Sequence, residues 1–330
     1  MKEVKLCIVG FGNIGRGLAA VLDEKQDLLR RRHGLKLTVV AVAEKDGSLV
    51  NERGVDLSRA LKTQFSSCPE YSSMKTLDVI KSCNADMVVE LTPGNMKNGE
   101  PGLSHILRSL ECGMHVVTSN KAPLALKYRE IMDCARKAGR EVRFEATVGG
   151  AIPLINLYRG TLQANEVRNI YGILNGTTNF ILSKMAEECV DFRIALKEAQ
   201  ELGLAESDYS YDVDGIDSAV KVVILANALM VRSVSLKDVR VVGIRDITYE
   251  TVELARKHNS VIKLVGDVNE LEVSPRIIPQ NHPLNISGAL NAVMLDTDVA
   301  GDITITGVGA GPRETSSSVL SDIIDLAIKV

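Results

Sequence analysis

The chain has 330 residues, of which 45% are hydrophobic and 25% are charged, and its formal net charge at pH 7 is -3. This length predicts two domains, each with its own core, and the weak negative charge excludes a broad basic surface for nucleic acid or anionic membranes. The composition therefore favours a protein that acts on small molecules.

The cysteines and the N-terminus indicate the cellular compartment. The six cysteines form no CxxC pair and have no accompanying histidine cluster, which argues against a structural zinc site and a disulfide framework. The opening residues MKEVKLCIVGFG enter a strand directly and lack a signal-peptide pattern. No uninterrupted apolar run reaches the ~18 residues that a membrane span needs. We therefore expect a cytoplasmic protein.

A β-rich run opens the chain and is followed by three glycines at GxGxxG spacing, which precede a helical pattern. In that context the first glycine permits a tight turn, the second lets the backbone approach a pyrophosphate, and the third allows helix and strand to pack closely. The motif predicts a dinucleotide site at the helix N-terminus; the alternative is a plain βα turn. The predicted cofactor contacts are Gly10, Phe11, Gly12, Asn13, Ile14 and Gly15.

The second predicted strand, residues 37–44, ends at residues that bear on the choice of cofactor. Glu44 can bind the ribose hydroxyls of NAD, whereas Lys45 can meet the 2′-phosphate of NADP. The sequence leaves NAD and NADP open, with a slight preference for a chain that accepts NADP.

Strands and helices continue to alternate, which predicts an α/β, doubly wound parallel sheet. The predicted strands lie within residues 85–93, 115–125 and 141–153, and the predicted helices within 101–113 and 128–139. Ligands bind such sheets at the carboxyl ends of the strands. This rule places Thr92, Ser119 and Lys121 at the cofactor edge.

After Pro153 the pattern changes to a helix, a strand and the polar segment NGTTN, which opens another helix. A further helix at 191–203 precedes an acidic loop. The next helix carries Asp217 and Lys221, four residues apart on one face. The apolar run VVILANAL follows Lys221 and predicts burial, and a buried lysine among carboxylates is a candidate for proton transfer. A surface ion pair or a calcium-like acidic loop is the alternative.

Five segments, taken in order, resemble the homoserine dehydrogenase family: GFGNIGRG, TSNKAPLA, EATVGGAIP, GILNGTTNFIL and AESDYSYDVDGIDSAVKVVILAN. The likeness resumes over 307–323 and is greatest to the short, archaeal-type members. It implies an N-terminal Rossmann domain, 1–140 with 308–330, and an α+β catalytic, substrate-binding and dimerisation domain, 141–307. It also implies a homodimer that reversibly reduces L-aspartate 4-semialdehyde to L-homoserine with NAD(P)H, in threonine and methionine biosynthesis.

The resemblance also implies roles for individual residues. Lys221 matches the proton-transfer lysine of the family, and Lys121 matches a second active-site lysine near nicotinamide and substrate. Glu206 and Asp217 match acids that orient the substrate ammonium and a water. Hydride attack on an aldehyde builds negative charge on its oxygen, and a lysine tuned by its surroundings is an apt proton donor.

Three further segments complete the implied site. In NGTTN, Gly176 and Thr177 would approach the bound amino acid, although a helix N-cap is the simpler interpretation and both can hold. In GVGAGP, Gly309 and Gly311 resemble a loop that returns to the cofactor, but the PRETSSS segment departs from the family pattern. EATVGGAIP resembles a loop for sodium or potassium. Its implied ligands are Glu145 and the carbonyls of Val148, Gly150 and Ile152.

Two other classes share the N-terminal motif. A Gfo/Idh-type dehydrogenase would act on sugars, cyclitols or amino acids and needs neither NGTTN nor the set Glu206, Asp217 and Lys221. A non-catalytic NAD-sensing protein would keep the glycine loop and lose that set. An aspartate-semialdehyde dehydrogenase needs a nucleophilic cysteine in a recognisable setting, and we find none. Because the last predicted helix ends with the chain, we expect no ACT-type regulatory domain, no fused aspartate kinase and no threonine inhibition through such a domain.

Overall fold

A computed structural model describes residues 1–329 and divides the chain into two compact units. The N-terminal domain comprises Met1–Thr147 together with the C-terminal segment that begins at Gly311, and the central domain comprises Val148–Ala310. The sequence-based division was 1–140 with 308–330, and 141–307. Within residues 1–329, no helix is long and apolar enough to cross a membrane.

The N-terminal domain is built on a seven-stranded sheet. Its strands are β1 (Lys2–Val9), β2 (Leu35–Glu44), β3 (Gly47–Val50), β4 (Tyr71–Ser72), β5 (Met87–Glu90), β6 (His115–Thr118) and β7 (Val142–Arg143). The helices between them are α1 (Asn13–His33), α2 (Leu57–Lys62), α3 (Thr76–Ser82), α4 (Gly102–Glu111) and α5 (Lys121–Ala138). The strand order is β4-β3-β2-β1-β5-β6-β7.

The pairing in this sheet explains where a ligand can bind. β1 pairs in parallel with both β2 and β5, and β5, β6 and β7 continue in parallel. The strand order therefore reverses between β1 and β5, which is the point where doubly wound sheets bind ligands. The predicted α/β fold is confirmed. The antiparallel edge formed by β3 and β4 was not predicted.

Strand β1 is apolar on both faces because helices cover both sides of the sheet. Leu6 and Ile8 belong to one buried cluster, and Cys7 and Val9 belong to another. Helix α5 begins at Lys121, where the Asn120 side chain caps it by accepting a hydrogen bond from the Ala122 amide at 3.2 Å, and it has a kink at Lys127, whose backbone is not helical. The predicted helix at 128–139 follows this kink, and the helical segment before it was not predicted.

The central domain contains a six-stranded sheet with the order β13-β12-β8-β10-β11-β9. Its helices are α6 (Ile155–Thr161), α7 (Gly176–Glu188), α8 (Phe192–Glu201), α9 (Ser210–Val213), α10 (Ile216–Leu229) and α11 (Tyr249–Lys257). Its strands are β8 (Val167–Ile173), β9 (Arg240–Val241), β10 (Ser260–Asp267), β11 (Glu272–Pro279), β12 (Leu290–Thr297) and β13 (Asp302–Val308). β8 is a central strand, so the NGTTN segment that follows it starts inside the domain.

The last helix, α12 (Pro312–Lys329), belongs to the N-terminal domain and packs on α1. Gly17 of α1 permits this approach, because a Cβ there would lie 2.8 Å from the carbonyl oxygen of Pro312. Val319 and Ile323 are fully buried in the same cluster as Leu18. The C-terminal helix thus completes the core on one face of the N-terminal sheet.

Candidate active site

The glycine loop between β1 and α1 has the shape of a pyrophosphate cradle. Gly10 has a φ of +92°, and a Cβ there would lie 2.8 Å from the carbonyl carbon of Leu91. A Cβ on Gly15 would lie 2.2 Å from the carbonyl oxygen of Gly10. Gly12 is exposed and has open space where its Cβ would be. Two glycines therefore form the turn and the third leaves the backbone accessible, so these residues fit a dinucleotide.

At the end of β2, Glu44 is bound to this loop by accepting a hydrogen bond from the Phe11 amide. The neighbouring Lys45 is exposed. The structure also reveals a cation that the sequence analysis missed. The guanidinium of Arg16 lies 5.4 Å from the centre of the Phe11 ring, at the start of α1. A carboxylate, Glu44, and two cations, Lys45 and Arg16, thus lie in or beside the glycine loop. The preference between NAD and NADP therefore stays open.

A fully buried carboxylate connects the ends of β5 and β6. Glu90 is 0% exposed and accepts hydrogen bonds from the amide of Thr92 at 3.0 Å, from the Thr92 hydroxyl, and from the Thr118 hydroxyl at 3.0 Å. These bonds fix the predicted cofactor residue Thr92 at the carboxyl end of its strand. The signal for Glu90 was an acidic residue in the otherwise apolar strand MVVE.

The same network continues into the start of α5. The Asn120 amide donates to the Thr118 hydroxyl at 3.0 Å, and the Ser119 amide donates to the carbonyl of Glu90 at 3.3 Å. Lys121 is half-buried and is the first residue of α5. Ser119 and Lys121 are therefore held at the same sheet edge as Thr92.

In the central domain, α10 buries a lysine beside a carboxylate. Lys221 is 6% exposed, and its Nζ lies 2.8 Å from Oδ2 of Asp217, which is 5% exposed. Nζ also donates to the carbonyl oxygen of Leu174, the residue that follows β8. A buried ammonium needs such partners because its desolvation is unfavourable. The surface ion pair considered above is excluded, since both side chains are buried.

Asn175 connects this pair to the acidic loop. Its Nδ2 donates to Oδ1 of Asp212 at 2.7 Å and to Oδ2 of Asp217 at 3.0 Å. Its Oδ1 accepts from the Thr178 amide at 2.9 Å and caps α7. One side chain therefore caps the helix and binds two carboxylates, one of which is the partner of Lys221.

The first turn of α7 holds the predicted substrate residues. A Cβ on Gly176 would lie 2.6 Å from the carbonyl oxygen of Ala289, so a larger residue does not fit there. The Thr177 hydroxyl donates to the carbonyl of Leu204 at 2.7 Å, so its proton is used inside the protein and its oxygen remains as an acceptor. Glu206 is exposed and lies two residues after Leu204. The Thr177 bond thus ties the segment that carries Glu206 to α7.

The predicted cation ligands fall in both domains. Val148, Gly150 and Ile152 are buried at the start of the central domain, in a turn where Gly150 has a φ of +58°. The carbonyl of Ile152 accepts from the Leu154 amide at 3.0 Å. Glu145 is buried in the N-terminal domain. Carbonyl and carboxylate oxygens are the donor types that suit a hard cation.

Gly309 lies in the central domain and contacts a buried amide. A Cβ there would lie 2.2 Å from the side chain of Asn291, whose Nδ2 donates to the carbonyl of Leu174 at 3.0 Å. Asn291 and Lys221 therefore share one carbonyl acceptor. The contact that the sequence predicted for Gly309, with the cofactor, stays a prediction. Gly311 begins the C-terminal segment, and the helix that follows contains the PRETSSS residues.

Comparisons with known proteins identify the family. A protein-family model described as homoserine dehydrogenase matches residues 153–324. A second family model, described as homoserine dehydrogenase, NAD binding domain, matches residues 10–145. A homoserine dehydrogenase of Methanocaldococcus jannaschii is 47% identical over 329 residues, which cover 97% of this chain and 98% of that protein. The chain belongs to the homoserine dehydrogenase family.

Solved structures agree with this membership. A crystal structure from Archaeoglobus fulgidus has a TM-score of 0.91 at 40% identity and covers 98% of this chain and 99% of its own. A structure of a hyperthermophilic archaeal homoserine dehydrogenase in complex with NADPH has a TM-score of 0.85 at 29% identity. The match covers 100% of this chain and 99% of that chain. The predicted family and the predicted oxidoreductase class are confirmed, and an NAD(P)-binding domain is established.

The candidate regions of the two domains contain residues that sequence reasoning did not select. Asn175 and Asp212 stood in segments that were noted but were not assigned a role, and Asn291 gave no signal because it lies in an ordinary strand pattern. Glu90, Thr118 and Asn120 were likewise not chosen. All six act through contacts to a predicted site residue or its neighbour.

Proposed function

We propose that this chain is a homoserine dehydrogenase that catalyses the reversible NAD(P)H-dependent reduction of L-aspartate 4-semialdehyde to L-homoserine, in threonine and methionine biosynthesis. The observation that carries the proposal is the buried pair of Lys221 and Asp217 on α10, which is held by Asn175, the N-cap of α7. This pair supplies what carbonyl reduction requires, a cationic proton donor in a low-dielectric setting.

In the reducing direction, Lys221 transfers a proton from Nζ to the aldehyde oxygen as that oxygen gains negative charge. Asp217 keeps the lysine charged before the transfer, and the Leu174 carbonyl directs Nζ. When bound, NAD(P)H supplies the hydride that the aldehyde carbon accepts. In the oxidising direction, neutral Lys221 takes the hydroxyl proton of homoserine.

The amino-acid part of the substrate needs separate recognition. We assign the recognition of its ammonium to Glu206 and Asp217. The amino-acid part would also lie close to Gly176 and to the Thr177 hydroxyl oxygen. The exposed position of Glu206 suits a residue that meets a ligand arriving from solvent. Lys121, the first residue of α5, is proposed as the second active-site lysine.

For the cofactor, the open backbone at Gly12 supports pyrophosphate binding at residues 10–15. We propose that the chain accepts NADP, with Lys45 and Arg16 as the cations for a 2′-phosphate. Glu44 would oppose that phosphate, so Glu44→Gln should raise the ratio of NADP to NAD in kcat/KM. A ratio that is unchanged would contradict a role of Glu44 in cofactor choice.

Three further properties are proposed with this function. A sodium or potassium ion would bind the carbonyls of Val148, Gly150 and Ile152 with Glu145, and activity should depend on which monovalent cation is present. The chain would form a homodimer, which equilibrium sedimentation tests. The reaction would take place in the cytoplasm.

The decisive experiment measures the reduction of NAD and of NADP by the wild type with L-homoserine, with L-threonine and with myo-inositol at alkaline pH. We expect a rate with homoserine and none with myo-inositol. A rate with the cyclitol alone would favour the Gfo/Idh-type alternative. Cofactor binding without any turnover would favour the NAD-sensing alternative.

A further inference from the structure

A second lysine is buried in the central domain, away from Lys221 in the chain and without a predicted role. Lys263 lies in β10 and is 3% exposed. Its three ammonium protons have three oxygen acceptors: Oδ1 of Asn179 at 2.9 Å, Oγ of Ser183 at 3.0 Å and the carbonyl of Ile286 at 2.6 Å. Two of the acceptors belong to α7, and the third begins the segment 286–290.

Asn179, the last residue of the NGTTN segment, continues this connection. Its Nδ2 lies within hydrogen-bond distance of the carbonyls of Ile286 at 3.2 Å, Gly288 at 2.9 Å and Leu290 at 3.1 Å. The amide thus gathers the carbonyls of segment 286–290, while its oxygen binds Lys263. Asn179 is 1% exposed, so these bonds are shielded from water.

Segment 286–290 in turn lies against the substrate motif. The carbonyl oxygen of Ala289 is the atom that a Cβ on Gly176 would meet at 2.6 Å. Directly after the segment, Asn291 donates to the Leu174 carbonyl, the same acceptor that Lys221 uses. Lys263 is therefore connected to Lys221 through the start of α7, through segment 286–290 and through the Leu174 carbonyl that Asn291 and Lys221 share.

We infer that Lys263 is a positioning residue, which holds segment 286–290 against the first turn of α7 and so sets the places of Gly176 and the Leu174 carbonyl at Lys221. The inference rests on the proposed function, because the consequence is read in homoserine turnover. Lys263 itself does not touch the substrate in this role.

The charge of Lys263 makes this contact sensitive to pH. Burial lowers the pKa of Lys263 from its ordinary value of 10.5 to about 8, because it removes the ammonium from water, and Glu187 opposes the change. Arg256 of α11 lines the same cavity as Lys263, and Arg276 of β11 lies opposite Lys263 in the strand pairing and forms an ion pair with Asp267. The remaining charged side chains on α7, α11 and β11 are Lys184, Glu188, Glu250, Glu253, Lys257 and Glu272. A cavity of about 170 Å³ beside Lys263 gives a route for proton exchange. Neutral Lys263 has two protons for three acceptors, so the contact weakens above the pKa.

The test compares Lys263→Met with the wild type in the oxidation of homoserine. One pH unit below the pKa of Lys263, we expect kcat/KM for homoserine to fall by roughly 10-fold to 100-fold in the variant, since sub-ångström misplacement of catalytic groups has effects of this order. The KM for NAD(P) should not change. Lys257→Met is the matched control, because Lys257 is an exposed lysine on α11 paired with Glu253.

The readout specific to positioning is the ratio of wild-type to variant kcat/KM across the pKa of Lys263. Taking this ratio cancels the ionisation of the substrate and of Lys221. We expect the ratio to decrease as the pH rises through about 8, because wild-type Lys263 then loses its third bond. Should Lys263→Met fail to fold, Ser183→Ala removes one of the three acceptors, so charged Lys263 makes two of these bonds in the variant and three in the wild type. The ratio of wild-type to Ser183→Ala kcat/KM should then exceed one below the pKa of Lys263 and approach one above it.

Three results would overturn the inference. If the wild type is active and Lys263→Met has the same kcat/KM, the inference about Lys263 is wrong but the proposed function stands. A ratio that stays constant across the pH range also overturns the inference, because that is what a lysine that only fills space would give. A wild type that shows no homoserine-dependent turnover contradicts the proposed function and, with it, the inference.

Discussion

Lys221 and Lys263 are both buried in the central domain, but their partners differ. Lys221 lies 2.8 Å from the carboxylate of Asp217, whereas Lys263 donates to an amide, a hydroxyl and a carbonyl, all neutral. A nearby negative charge offsets the desolvation of an ammonium, and neutral oxygens do so only in part. The pKa of Lys263 accordingly falls to about 8 through burial. Burial alone therefore does not define the role of a lysine; its partners do.

The largest effect should come from removing the carboxylate-paired lysine. In Lys221→Met we expect kcat for homoserine oxidation to fall by about 10²-fold to 10⁴-fold, because general acid–base catalysis is lost. Binding of NAD(P), measured by fluorescence titration, should remain. Activity within a few-fold of the wild type would remove Lys221 from proton transfer and erase the contrast with Lys263.

The second variant gives Lys221 a neutral partner in place of its carboxylate, as Lys263 has. Asp217→Asn keeps the shape of the side chain but removes the negative charge that lies 2.8 Å from the buried ammonium. We expect the free energy of unfolding in urea to fall by about 3 kcal/mol. Asp214→Asn is the control, since Asp214 pairs with Arg245 at the surface and should change stability by less than about 1 kcal/mol. Equal losses in the two variants would show that burial of the Asp217 pair has no special weight.

Asn175 tests whether the carboxylate at Lys221 must be held in place. Asn175→Ala removes the cap of α7 and both bonds to Asp212 and Asp217, and we expect a loss of about 2 kcal/mol in unfolding free energy. Asn175→Asp keeps the capping oxygen and loses the donor. If Asn175→Ala lost stability while Asn175→Asp kept wild-type stability and both variants kept full activity, the side chain would serve only as a cap.

The smallest effect is a pH dependence of stability that belongs to Lys263. Its folded pKa lies below the unfolded value of 10.5, so between about 8 and 10.5 the unfolded chain binds more protons and this group adds stability as the pH rises. Relative to Lys263→Met, the unfolding free energy of the wild type should increase by about 1 kcal/mol per pH unit in that window. Urea titrations at several pH values measure it. A decrease would mean that Lys263 is charged and satisfied at alkaline pH, as a carboxylate-paired lysine would be.

Much of the fold could be predicted because its signals are local. The glycines at 10, 12 and 15 need only their own backbone geometry, and the alternation of strands and helices follows from short apolar periods. The antiparallel edge strands β3 and β4 were not predicted because they are short. The helical segment of α5 before the kink at Lys127 was not predicted because the capping role of Asn120 was not recognised.

Candidate residues were predictable where chemistry and spacing coincide. Asp217 and Lys221 are four residues apart on one helix, and the apolar run after them indicates burial. Glu90 and Asn175 were harder to select, because a single acid in a strand or a single amide in a turn has several common explanations. Their roles appear only when their partners from other segments are known.

The sequence by itself determined the family, the α/β class and the positions of the glycine loop and the lysine–carboxylate pair. Each of these features depends on residues that are close together in the chain. Only the tertiary structure decided which side chains hold these groups. Lys263 and Asn179 are 84 residues apart, and Asn291 and Leu174 are 117 apart. The sheet of the central domain brings them within hydrogen-bond distance, and no local pattern of polarity encodes such a pairing.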